Sequence, residues 1–125
     1  MEGKIEHRYN QEKCIFFKVY TGDISFENLI TSWEEVIKNK RIPSGVKKFL
    51  IDYRKANILF DHKKAKDIAD FYNRHNDIFG RSKITLVMIK PEHVIFPMIV
   101  ESEGVNFDLK PFYTLEAATK WLSTD

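Results

Sequence analysis

KKFLIDYRKANI, residues 47–58, decides how the rest of the chain is read. Phe49, Leu50 and Ile51 form an unbroken apolar run between lysines and an acid, the pattern of a strand covered on both faces in a parallel sheet. Asp52 marks where that strand meets water. Tyr53 to Asp61 is then expected to be the loop leaving the carboxyl end of a central strand, where open α/β sheets place their binding sites.

Upstream, Ile5, His7 and Tyr9 alternate with charged residues, and the polar turn Asn10 to Lys13 precedes the aromatic and β-branched run Cys14 to Tyr20. This predicts two antiparallel strands, closed by Thr21, Gly22 and Asp23. Ser25 is placed to cap a helix in which Phe26, Leu29, Ile30, Trp33, Val36 and Ile37 share one stripe. Ile24 before the cap and Leu29 inside it suit a hydrophobic staple. Lys38 to Gly45 is a basic connector broken by Pro43 and Gly45.

Downstream, Asp61 is placed to cap a second helix reaching about Asn76, with Ala65, Ile68, Ala69 and Tyr72 inward. Ile84 to Ile89 is a second run of the doubly covered type. Pro91 suits a first helical position. Val94 to Val100 is apolar all round and carries Pro97, which predicts a short or kinked helix. Val105, Phe107 and Leu109 alternate as an edge strand that Pro111 is expected to stop. Thr114 caps a last helix with Leu115, Ala118, Trp121 and Leu122 on one face. The order is ββαβαβαβα, a single α/β domain over residues 1–125.

Composition narrows the functional classes. With 20 basic against 18 acidic residues and a net charge of +2, the chain lacks the strongly basic character of a nucleic-acid binder. One cysteine, Cys14, excludes an internal disulfide and a paired zinc–thiolate site, and its apolar setting reads as a buried, inert thiol. MEGKIEHRY has no apolar core of a secretion signal, and no run approaches the ~20 residues of a membrane-spanning helix. A reducing cytoplasm is the expected setting. The four histidines, His7, His62, His75 and His93, form no spaced ligand set, so no metal or other cofactor is expected.

The Gly22 turn before the Ser25-capped helix with Trp33, the buried FLIDYR (Phe49 to Arg54) and the closing FYTLEAATKWL (Phe112 to Leu122) together look familiar. Across essentially the whole chain they resemble the STAS superfamily (sulphate transporter and anti-sigma-factor antagonist domains), and within it the small stand-alone SpoIIAA-like proteins. The resemblance implies a mixed sheet of about five strands with helices mainly on one face, and a regulatory or binding role, not catalysis. In the anti-sigma antagonists the loop after the central strand carries a phosphorylated serine. Tyr53 to Asn57 here contain no Ser or Thr, so that switch is not carried over.

Three functional readings follow. The first places a protein partner or small anionic ligand on Tyr53, Arg54, Lys55, Asn57, His62, Lys63 and Lys64, because two lysines in a helix's first turn oppose its dipole unless something negative approaches. A solvated basic face is the competing explanation. The second assigns Val94, Phe96 and Met98 to a homodimer contact or to a pocket for an apolar molecule or lipid, against simple completion of the core. The third is an enzyme around Asp52, Asp61 and His62. It finds no GxSxG, P-loop or dinucleotide fingerprint, and no acidic pair after the first strand to hold Mg²⁺ beside Asp52.

Overall fold

The computed structural model describes residues 2–124. Among them, strands β1 (Lys4–Asn10), β2 (Ile15–Ile24), β3 (Lys48–Ile58), β4 (Lys83–Val87) and β5 (Asp108–Phe112) form one mixed sheet in sequential order. β1 is antiparallel to β2, and the other three pairings are parallel. β3 is the middle strand, as its doubly apolar sequence predicts. Phe49 and Ile51 face one layer of helices, while Leu50 belongs to the cluster on the opposite face.

Helices α1 (Phe26–Lys38), α2 (Ala65–Arg74), α3 (Asn76–Phe79) and α4 (Ile95–Ser102) contribute to the larger core, and α5 (Leu115–Leu122) covers the other face through Ala118 and Leu122. The mixed α/β architecture with helices mainly on one side therefore holds. Trp33 sits at the centre of the large core with edge-on contacts to Phe49, Tyr72 and Phe79. Such ring pairs add specific geometry to the burial of large apolar surface. Ser25 caps α1 in a reciprocal box: its Oγ accepts from the Asn28 N–H at 3.0 Å, and its own N–H donates to Asn28 Oδ1 at 3.3 Å. Thr114 caps α5 with a single bond, its Oγ1 accepting from the Ala117 N–H at 3.1 Å.

Four expectations are corrected. Thr21, Gly22 and Asp23 do not close a hairpin but continue β2 to Ile24, with Gly22 at φ +79° supplying a conformation that favours glycine. The extension gives Lys55–Ile58 a parallel partner, so most of the expected Tyr53 to Asp61 loop is strand and only residues 59–61 connect onward. Cys14 is not buried; it occupies the hairpin turn before β2, exposed and at φ +57°. Pro111 does not end β5 but lies within it opposite Leu86, an acceptable place because an edge strand has one side without a ladder.

A β-bulge explains why β3 is longer than its pattern. Val19 pairs with Asp52 and Thr21 with Lys55, leaving Tyr53 and Arg54 opposite Tyr20 alone. The alternation of buried residues accordingly jumps from Phe49, Ile51 and Tyr53 to Ala56. The Arg54 N–H, displaced from the regular ladder, donates to Asp52 Oδ1 at 3.0 Å.

Candidate functional site

The parallel strands β2 to β5 run the same way, so their exits lie towards one end of the sheet, with β2 and β3 reaching further than β4 and β5. Leu59 follows β3, Ile89 lies two residues beyond β4, and Tyr113 follows β5; these side chains are 58%, 53% and 59% exposed. Ile95, at the start of α4, is also exposed. Exposed apolar groups gathered at one end of a small domain are the usual mark of a contact surface.

The sequence-derived site residues divide at this end. Tyr53 points into the core and stacks on Tyr20 with ring centroids 4.8 Å apart. Burial raises the pKa of its hydroxyl, so it is no surface donor or base. Arg54 is held by Asp52 in a two-pronged pair, Nε to Oδ1 at 3.0 Å and Nη2 to Oδ2 at 2.9 Å. Asn57 donates to Asp23 Oδ1 at 3.0 Å across the β2–β3 ladder. Lys55, His62 and Lys63 are exposed and enter no ion pair among the described residues. Lys64 lies over the Phe26 ring at 4.8 Å, which gives its charge an aromatic neighbour.

Asp61 caps as expected, but the first turn is the 3₁₀ turn His62–Lys64 leading into α2: its Oδ1 accepts from the Lys63 N–H at 2.9 Å. With Asp52 bound to Arg54 and Asp61 to a backbone N–H, these carboxylates already have structural tasks. No group of three or more His, Cys, Asp or Glu among the described residues could hold a metal ion. None of the described helices is long and apolar enough to cross a membrane.

The apolar candidate also divides. Phe96 and Pro97 line a cavity with Leu29, Tyr53, Tyr72 and Met88, whereas Val94 and Met98 do not reach it. Met98 is 65% exposed on the outer side of α4. The cavity holds about 40 Å³, far below the roughly 300 Å³ at which small-molecule pockets begin.

A polar cluster escaped the sequence reading. Lys18, in the middle of β2, is completely buried. Its Nζ lies 2.6 Å from Ser32 Oγ, 3.1 Å from His7 Nε2 and 4.0 Å from the centre of the Trp33 ring. Burial pulls the lysine pKa down to about 6, against a smaller opposing influence from Glu35. Burial, and then the nearby Lys18 and Arg41 charges, lower His7 to about 4, so the imidazole is neutral at pH 7. The signal was in IFFKVY: period two puts Lys18 in phase with Phe16 and Tyr20, hence against α1.

No protein-family model matches the sequence, and no match was found among curated proteins. The architecture is a five-stranded mixed sheet with helices on both faces, a SpoIIAA-like fold. Among solved structures, it is similar to the crystal structure of an uncharacterized DUF3478-family protein with a SpoIIAA-like fold from Shewanella loihica PV-4. The TM-score is 0.63 at 17% identity, over 96% of this chain and 93% of that one. A likeness at that identity shows the fold alone.

Proposed function

We propose that this domain is a non-catalytic binding module that recognises an acidic protein surface with the carboxyl end of its sheet. The carrying observation is the joint exposure of Leu59, Ile89 and Tyr113 at the end of the sheet from which Lys55, His62 and Lys63 also project. An apolar centre with a charged rim is how protein interfaces are built, and the cations set the sign of the partner. Arg54, Asn57 and Lys64 brace that end through Asp52, Asp23 and Phe26, while Tyr53 anchors it from the core. A small anionic ligand is the competing occupant of the same cations. The engagement of Asp52 and Asp61 in structural bonds favours binding over catalysis.

The test is to capture partners on the immobilised chain, purify them, and measure each by calorimetry against the wild type, the Lys55→Glu/Lys63→Glu pair and Leu59→Ser. An acidic protein whose binding falls at least roughly tenfold with either change and weakens with salt supports the reading. Partners indifferent to both changes overturn it, and so does a small anion that alone accounts for the effect of the lysines. The carrier reading through Phe96 would require α4 to open a cavity now only about 40 Å³ in volume. A self-contact through exposed Met98 would appear in sedimentation as a dimer that Met98→Glu dissolves.

A further inference from the structure

On the same helical side of the sheet, but over its β1 edge, a groove of about 330 Å³ runs between β1 and α1. Ile5, Ile24 and Val36 form its apolar part, and His7, Ser32, Glu35 and Arg41 its polar part. Lys18 lies directly beneath, joined to the groove by its bonds to His7 and Ser32. His7 and Lys18 are register partners across the β1–β2 ladder, which fixes their side chains side by side. We propose that this groove binds a short-chain monocarboxylate, its tail on Ile5, Ile24 and Val36 and its carboxylate between His7 and Arg41.

The buried lysine is the feature that demands a ligand. It has no carboxylate within ion-pair distance among the described residues, only a hydroxyl, an imidazole and the Trp33 face. Burial strips an amine of its proton unless a counter-charge comes near, and a methionine would fill the same space without that cost. His7 can carry the influence outward. When the protonated Lys18 donates to Nε2, the neutral ring holds its proton on Nδ1, the nitrogen left to donate to a carboxylate. Ser32 is already committed, accepting from Lys18 and donating to the Leu29 carbonyl at 2.9 Å.

Charge selects a monoanion. The groups that bear on Lys18 are His7 from β1, Glu35 from α1 and the Tyr20 ring beside it on β2, while Arg41 beyond α1 bears on His7. Glu35 shares the groove wall and repels a second negative charge, while Arg41 attracts the first. Because the amine is largely neutral at pH 7 without ligand, an anion beside His7 raises its proton affinity, and binding draws up to one proton from the buffer.

The experiment is an NMR titration of the full chain with sodium butyrate at constant ionic strength, with n-butanol and inorganic phosphate as comparison probes. The expected result is saturable shifts at Ile5, His7, Ser32 and Arg41, an upward move of the Lys18 side-chain titration midpoint, and affinity at least roughly tenfold weaker in Lys18→Met. Arg41→Gln, at an exposed position, is expected to weaken binding too and serves if Lys18→Met does not fold. The proposal is overturned by unsaturable or misplaced shifts, by butanol binding as well as butyrate, by phosphate binding more tightly, or by variants that bind like the wild type.

Discussion

Replacing Lys18 with methionine should make the protein more stable, and by an amount that depends on pH. In the unfolded chain the lysine titrates near 10.5, and in the folded one near 6. Between those values the unfolded chain holds a proton that the folded chain has released, so stability rises with pH by about 1.4 kcal/mol per unit. At pH 7 the unfolded midpoint lies about 3.5 units away, so burying the amine costs roughly 5 kcal/mol. Lys18→Met removes that cost but also the bonds to Ser32 and His7, each worth about 1 kcal/mol. The net gain at pH 7 should be about 3 kcal/mol, shrinking towards zero by about pH 9 as the wild type recovers. Urea unfolding followed by tryptophan fluorescence between about pH 6.5 and 9.5 measures both slopes. The window stays below the region where Tyr20, Tyr53 and Tyr72, raised by burial, reverse the trend. On the acid side His7, lowered to about 4 from 6.5, acts in the same direction: the unfolded chain binds its proton first, and stability falls as pH drops through that interval. A wild type whose stability is flat from pH 7 to 9, or a Lys18→Met variant weaker than wild type throughout, would refute the reasoning.

Tyr20→Phe should leave stability unchanged or raise it by up to about 1 kcal/mol in urea melts, because the buried Tyr20 hydroxyl makes no well-formed hydrogen bond among the described residues, with Ser32 and Tyr53 its nearest polar neighbours. Phe79→Ala should cost about 3–5 kcal/mol by the same assay, since its fully buried ring contacts Trp33, Phe49 and Tyr72 together. Asp52→Ala should lower stability by roughly 1–2 kcal/mol and speed amide exchange at Arg54, whose N–H would lose its acceptor at the bulge.

How much of this was legible in the sequence depends on whether the local period survived. Phe26, Leu29, Trp33 and Val36 kept a helical spacing and Ser25 its cap, so α1 could be drawn nearly to its final bounds. Phe49 to Ile51 identified the middle strand for the same reason. The period broke at Tyr53 and Arg54, where one extra residue shifts the buried face from odd to even positions. A strand with a phase change reads as a loop, and that put Tyr53 at the surface when it lies in the core. For the candidate surface, charge was visible in Lys55, His62 and Lys63, but its apolar centre was not. Leu59, Ile89 and Tyr113 are distant in sequence and come to one end of the sheet only because their strands run parallel. Lys18 was passed over for the opposite reason: the alternation that buries it was visible, but lysine is seldom fully buried.

The two margins of the sheet carry a further consequence. β1 bears Lys4, Glu6 and Arg8 exposed along its length, and β5 bears Asp108, Lys110 and Pro111. Charges and a proline on outermost strands discourage another chain from zipping alongside. An extended peptide therefore gains little by lengthening this sheet, and visitors are steered to the strand tips, where recognition relies on side chains and not on shared backbone bonds. The same arrangement guards the protein at high concentration, because ribbon-to-ribbon stacking between copies would have to begin at its least hospitable borders.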